Sequence, residues 1–361
     1  VSGEGDPVGI QSALSPAWTE AECFRSVGPQ HRGLGQPFDH MVKSERDAVM
    51  ATPRFPEFKL LEIDDRDEME RLLGAVAPVS SELTFTNLFM WRHSYRFQIS
   101  MHGACLLVFA CPGDEHFFLP PLCRSAKLEV FAEMMDFMEQ RGWAPRVARV
   151  PTAMAEEAGL TRDPRFRVET KREHADYVYL TERLIRLSGK RLHSKKNHLN
   201  AFLKGSKFQF EPISPDNVED CLSMQESWCN LRDCTQIEGL RNEELAVYEV
   251  LKNWDRLSCS GGVIRMDGRV EAFSLGERLN PETAVIHIEK ANPEIRGLYA
   301  AINQQCCEQL WSDFRYVNRE QDLGEVGLRR AKLSYDPVFL VEKCTVLRAK
   351  RSRLPEGEEG A

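Results

Sequence analysis

The chain declares its architecture in one stretch, residues 284–337: AVIHIEKANPEIRGLYAAINQQCCEQLWSDFRYVNREQDLGEVGLRRAKLSYDP. Apolar residues through 284–291 read as a strand, Gly297 opens a helix running to 311, and 316–317 is a second strand before a polar loop. Ionisable groups sit where a buried sheet normally has none. His287, Glu289 and Lys290 interrupt the first strand, and Asn318, Arg319, Glu320 and Asp322 follow the second. Side chains alternate along a strand, so His287 and Glu289 share one face and Lys290 takes the other. With Phe273, Leu275, Val285 and Ile288 as apolar walls, an isolated carboxylate there has its charge disfavoured, as a general base requires. The rival reading is a buried structural pair, His–Glu or Glu–Lys, tying strand to helix.

The turn into the helix, Pro293-Glu294-Ile295-Arg296-Gly297, presents the free N–H groups of a first helical turn. A glycine there lets a ligand approach closely, and Arg296 adds a cation. Beyond the second strand, acids and bases crowd a loop at a strand end, where α/β sheets place their chemistry. Arg329, Lys332 and Tyr335 then add two cations and a hydroxyl. Arg319, Arg329 and Lys332 suit a phosphate or carboxylate, or developing negative charge, and Asn318 adds a neutral donor. Glu320 and Asp322 are alternatives to Glu289 as the base, and Tyr335 could protonate a leaving group. The rival reading is a charged surface loop and helix.

Upstream lies a helix over 187–204, LSGKRLHSKKNHLNAFLK, closed by Gly205. Leu192, Leu199, Phe202 and Leu203 fall on one side, and Lys190, His193, Asn197, Asn200 and Lys204 on another. Residues 171–210 hold ten Lys and Arg against three Asp and Glu, in a chain of net charge −8. Such a face is either simply solvated or set against phosphates, with Lys190, Lys195, Lys196 and Asn197 as donors. Between it and the opening stretch come a strand at 208–212, helices at 218–230 and 243–254, and a hairpin of 257–266 with 269–277 across Asp267-Gly268. A last strand is expected over 339–346.

The first half repeats the theme. A helix over 63–73, N-capped by Asp64 or Asp65, precedes an aromatic helix or turn at 84–95. Strands follow at 97–110 around Gly103, at 116–119, 146–150, 166–170 and 177–180. Helices at 128–140 and from 151 separate them. The fold class is therefore α/β (α+β): two tandem units of mixed, mostly antiparallel sheet flanked by helices. Residues 1–49 read as a disordered extension, 50–180 as the first domain, 181–348 as the second domain with the site, and 349–361 as a loose tail. The chain starts at Val1, and the expectation is a natural start near Met41 or Met50.

The hydrophobic fraction of 42% and charged fraction of 28% are those of a soluble globular protein, and 361 residues suit two domains. No apolar run approaches the roughly 20 residues that cross a bilayer, and no secretory signal is visible. Eleven cysteines form no framework, and no Cys/His spacing fits zinc. The expectation is reduced, mostly buried thiols and a cytoplasmic protein. No metal is demanded.

Four motifs in order, LTFTNLFMWR (83–92), LSGKRLHSKKNHLNAF (187–202), AVIHIEKA (284–291) and YVNREQDLGEVGLRRAKLSYDP (316–337), resemble a family of bacterial proteins. That family shares the C-terminal domain of phosphatidylglycerol lysyltransferase, and the resemblance spans about 56–346. It implies two GNAT-type acyltransferase units in one chain. Relatives move an aminoacyl group from aminoacyl-tRNA to an amine or hydroxyl: phosphatidylglycerol in the lysyltransferase, peptidoglycan precursors in Fem-type enzymes. The order strand, Arg296-Gly297-Leu298-Tyr299-Ala300, helix is similar to the pyrophosphate-binding turn of GNAT enzymes, but lacks the fuller glycine pattern of acetyl-coenzyme A binders. The membrane lysyltransferase also carries a transmembrane region with no counterpart here. The expectation is an aminoacyl- or acyltransferase, its donor aminoacyl-tRNA or acyl-CoA held by the basic helix and the Gly297 turn. The alternatives are an acetyl-coenzyme A-dependent N-acetyltransferase and a non-catalytic RNA- or nucleotide-binding protein.

Overall fold

The computed structural model describes residues 52–232 and 237–349. The expectations for 1–49 and for the C-terminal tail fall outside them. Within the described part, two passages of chain run through the same series of elements, apart from one extra short helix in the first. The first is β1 (Lys59–Leu60), α1 (Arg66–Val76), α2 (Phe85–Met90), α3 (Arg92–Tyr95), β2 (Gln98–His102), β3 (Cys105–Ala110), β4 (Phe117–Phe118), α4 (Leu128–Glu139), β5 (Arg146–Pro151), α5 (Thr152–Glu157), β6 (Phe166–Thr170) and β7 (Asp176–Leu180). A connector follows, α6 (Thr181–Arg186) and α7 (His193–Gly205). The second passage is β8 (Gln209–Pro212), α8 (Val218–Arg232), α9 (Glu238–Lys252), β9 (Ser260–Met266), β10 (Arg269–Asn280), β11 (Thr283–Ala291), α10 (Leu298–Gln309), β12 (Tyr316–Asn318), α11 (Val326–Leu333), β13 (Phe339–Val341) and β14 (Lys343–Arg348).

Each passage builds a sheet, but the two exchange a strand. The first sheet runs β1-β2-β3-β4-β5-β14-β6 and the second β8-β9-β10-β11-β12-β7-β13. β7 thus pairs with β12 and β13, and β14 with β5 and β6. A cut at residue 180 separates the helices of the two units but not their sheets. The single strand expected over 339–346 is two, because the chain leaves one sheet after Val341 and enters the other at Lys343. Pairing is antiparallel throughout the described ladders except β4–β5 and β11–β12.

Three apolar layers hold this arrangement. The middle one is shared, joining Phe85, Leu88 and Phe89 of α2 to Val247, Val250 and Leu251 of α9 and to Phe273 and Leu275 of β10. The outer layer of the first sheet is rich in Phe and Met, and that of the second packs α10 on β11. Burial on both faces is the main stabilising term for each sheet, at roughly 1.5–3 kcal/mol per large apolar side chain. Two expectations need correcting. Cys105 and Cys123 form a disulfide rather than remaining reduced. The basic helix also starts late: Lys190–Leu192 is a 3-10 turn, after Gly189 takes a left-handed φ of 98°. Among the described residues no helix is long and apolar enough to cross a membrane.

The crossing point of the exchanged strands is polar. Asp176 opens β7 and Lys343 opens β14, both 0% exposed, and the Lys343 Nζ donates to Asp176 Oδ1 and Glu82 Oε2, each at 2.6 Å. Asp176 also accepts from the Ser81 backbone N–H at 2.9 Å and from Asn318 Nδ2 at 3.1 Å. Burial raises the Asp176 pKa, whereas for Glu82 the nearby Lys343 and Arg149 outweigh burial and hold it at about 2.

Candidate active site

β11 and β12 pair only from Thr283↔Tyr316 to Val285↔Asn318. Beyond that, β11 stays with β10 to Ala291 while the chain after β12 turns away. The strands part, and the charged residues of both line the gap. His287 lies at its head, its side chain buried. Its Nδ1 donates to Glu320 Oε1 and its Nε2 to Glu277 Oε1, each at 2.8 Å. Burial opposes charging of the ring, but hydrogen bonds to Glu277 and Glu320 overcome it and push the pKa up to about 9. His287 is therefore an imidazolium at neutral pH, clamped between two carboxylates.

Helix α2 of the first passage completes this head. Thr84 caps it by accepting from the Asn87 N–H at 3.2 Å, and Asn87 Nδ2 donates to Glu320 Oε1 at 3.1 Å. Glu320 itself adopts a left-handed φ of 55°, an uncommon state for a residue with a side chain and one that clusters at functional sites. The surroundings enforce it: the Glu320 N–H donates to Asn318 Oδ1 at 2.8 Å, and its carbonyl accepts from the Tyr177 N–H at 3.1 Å. Among the described residues no donor reaches Glu320 Oε2, and the side chain is 20% exposed.

Glu289 does not pair with His287, although they share a face. It accepts from Arg319 Nη2 and from Asn303 Nδ2 of α10, both at 2.8 Å. The Arg319 guanidinium lies 4.7 Å from the Tyr335 ring centre and 5.7 Å from that of Tyr179. Its Nη1 is buried with no hydrogen-bond partner. Burial pushes the Tyr335 hydroxyl up to about 12. Lys332 Nζ donates to the Arg319 carbonyl and, at 3.3 Å, to that of Glu320. Burial and then Arg319 bring its pKa down to about 8.

The basic helix meets this cluster. Lys195 Nζ stands 4.4 Å from the Tyr335 ring centre, and burial, then Arg319, lowers its pKa. Lys190, Lys196 and Asn197 are exposed. α7 also crosses the start of α10. Gly297 takes a φ of 86°, and a Cβ there would lie 2.3 Å from the His198 carbonyl oxygen. α7 backbone thus occupies the side of Gly297 on which a Cβ would stand. Arg296 is exposed, and the Tyr299 hydroxyl accepts from Trp228 Nε1 at 3.0 Å.

Three further candidates are spent on the fold. Asn318 is buried and bonded to Asp176 and to the Glu320 N–H. Asp322 is wholly buried: Arg329 donates to both its oxygens at 2.8 and 2.9 Å, and the Tyr177 hydroxyl donates at 2.6 Å. Arg329 first, then Tyr177, holds Asp322 well below the usual carboxylate range. The sequence reading passed over Glu277, Asn87 and Asn303. For Glu277 the signal was weak, since β10 also carries Arg269, Glu271, Ser274 and Arg278. For Asn87 and Asn303 there was none, since an amide in a helix acquires meaning only from what it faces.

The family described as phosphatidylglycerol lysyltransferase, C-terminal, matches residues 74–346. A protein of unknown function from Bacteroides thetaiotaomicron is 32% identical, with a TM-score of 0.76 over 81% of this chain and 99% of its own. The L-PGS of Bacillus licheniformis superposes with a TM-score of 0.57 at 17% identity, covering 80% of this chain and 93% of that one. FemX gives 0.52 at 8% identity, over 80% and 96%. These two likenesses show the fold, a GNAT-like pair. An uncharacterised protein of Mycoplasmoides gallisepticum is 27% identical over 180 residues, 47% of this chain, so the match spans about half (55%) of that curated relative.

Proposed function

Since the chain belongs to the phosphatidylglycerol lysyltransferase C-terminal family, we propose that it is an acyltransferase with its reaction centre in the gap between β11 and β12. One observation supports this most: Glu320, held in a left-handed backbone, keeps one carboxylate oxygen unbonded among the described residues while His287 and Asn87 grip the other. Glu320 is the base. It takes a proton from an acceptor amine or hydroxyl, whose nitrogen or oxygen attacks the acyl carbon of the donor. The acyl–acceptor bond forms, the donor's ester bond breaks, and the departing oxygen takes a proton from Tyr335. Arg319, its second amino group unpaired, faces the negative charge that develops. Glu289 and Asn303 set the Arg319 plane, and His287 sets Glu320; these are positioning roles.

An aminoacyl-tRNA donor fits the exposed cations of α7, which lead to Lys195 at the cluster's edge. The coenzyme A alternative is disfavoured by the lack of the fuller glycine pattern at the turn before α10. The acceptor is an amine or hydroxyl, with a lipid such as phosphatidylglycerol the family's precedent. The test is a transfer assay with charged tRNA pools and cell extract, reading labelled products by mass spectrometry. Glu320→Gln keeps the hydrogen bonds and shape but removes one charge facing His287, so turnover is expected to drop about 100-fold or more with only a modest loss of Tm. Normal turnover in that variant would dismiss Glu320 as the base.

A further inference from the structure

Helix α2 of the first passage lies in the motif LTFTNLFMWR, residues 83–92, two of whose polar side chains reach into the second passage. All six residues of α2 are buried. Phe85, Leu88 and Phe89 join the middle apolar layer, and Asn87, only 7% exposed, stands among them. Asparagine is a poor helix former and a costly core residue, so packing alone does not account for it. Its Nδ2 donates to Glu320 Oε1 at 3.1 Å, the same oxygen that accepts from His287 Nδ1 at 2.8 Å. The two nitrogens stand 3.4 Å apart and share that acceptor. Arg92 ties this arm to the second passage. Its Nη2 donates to Glu249 Oε2 of α9 at 2.7 Å, its Nη1 to the Phe89 carbonyl at 2.9 Å, and the guanidinium lies 3.7 Å from the Phe89 ring centre.

We propose that Asn87 is a positioning residue of the reaction centre: α2, anchored on α9 through Arg92, holds the Glu320 carboxylate in the plane that aims its free Oε2 at the acceptor. One hydrogen bond leaves a carboxylate able to swing about it. A second donor, arriving from another element, fixes the plane. Displacing a reacting group by about 1 Å costs on the order of 100-fold in rate, so the plane matters. The first passage thereby completes the site built on the second. The proposal rests on the reading of Glu320 as the base.

Transfer kinetics of Asn87→Asp and Asn87→Ala at pH 7, run well below each variant's Tm, test this together with the NMR signal of the His287 Nδ1 proton, assigned by its loss in His287→Gln. Asn87→Asp keeps the shape, removes the donor and sets a like charge against Glu320. It is expected to lower kcat about 100-fold with KM within about twofold, whereas Asn87→Ala, which removes the donor alone, lowers kcat about tenfold. A side chain that only filled space would give the reverse order. The His287 signal is expected to move in both variants, because its acceptor is no longer held. Asn87→Asp as active as Asn87→Ala, or more so, overturns the proposal, as does a raised KM at unchanged kcat or a His287 signal unmoved in both. Should Asn87→Asp not fold, kcat and the His287 signal of Asn87→Ala carry the test. Normal turnover in Glu320→Gln dismisses the base and leaves the His287 signal to decide whether Asn87 holds Glu320. An impaired Glu320→Gln beside kinetically silent Asn87 variants removes this proposal alone.

Discussion

Arg149 and Glu320 hold the same place in the two passages. Arg149 lies within β5 and Glu320 just beyond β12, the strands that run parallel to β4 and β11; each faces the strand donated by the other passage, and each has a left-handed φ, 60° and 55°. Their surroundings differ entirely. In the first passage β4 is two residues long and ends at Leu119-Pro120-Pro121, and prolines cannot continue a ladder. The space beside it is packed with rings: Phe109 lies 4.8 Å from Phe118 and 5.5 Å from Trp143, centre to centre. Arg149 turns to Glu82 at 3.1 Å and joins the crossing-point cluster. In the second passage β11 runs nine residues, carries His287 and Glu289 into the gap, and Glu320 turns to meet them. One topology thus serves as an apolar scaffold in one copy and a polar cleft in the other. The difference lies in strand length and a few side chains.

If the exchanged strands lock the copies together, the crossing point should be the most sensitive place in the molecule. Lys343→Met leaves Asp176 buried without its cation and Glu82 with Arg149 alone, and should cost about 3–5 kcal/mol in urea denaturation. A loss below about 1 kcal/mol would mean that the strand exchange stands without its ionic centre.

The two copies should also respond oppositely to pH. His287 has its pKa raised from 6.5 to about 9, so its contribution is fully present below about pH 6.5 and fades as pH climbs to 9. The shift corresponds to something on the order of 3 kcal/mol. In the first passage His116 is lowered by burial, and His174 is lowered to about 4 by burial and then Arg149. Those groups withdraw stability as pH falls below 6.5. Stability should therefore peak near pH 6.5, and His287→Gln should flatten only the alkaline limb. An alkaline limb that persists in that variant would place its origin elsewhere.

The smallest expected effect concerns the connector, which has no counterpart within either copy. Lys190→Glu combined with Lys196→Glu alters two exposed residues and should leave Tm within a degree or so, while weakening tRNA binding about tenfold and flattening its salt dependence. Unchanged binding would take α7 out of donor recognition.

Much of this molecule is legible in its residues. Hydrophobic periodicity and turn chemistry placed most strands and helices, because those signals act over a few neighbouring residues: Asp267-Gly268 makes its hairpin wherever it stands. Ionisable residues in an apolar strand marked His287 and Glu289, since burial of charge is costly enough to be rare, and a polar loop at a strand end marked Arg319 and Glu320. Partnership was not legible. That Glu289 takes Arg319 rather than His287, that Asp322 is consumed by Arg329 and Tyr177, and that Asn87 reaches across 233 positions to Glu320 depend on distances set by the whole fold. The strand exchange was equally hidden, because a strand's pattern records that it is covered on both faces and not which neighbours it pairs with. Local free energies wrote the elements into the sequence; the choice among partners of similar chemistry was made by packing alone.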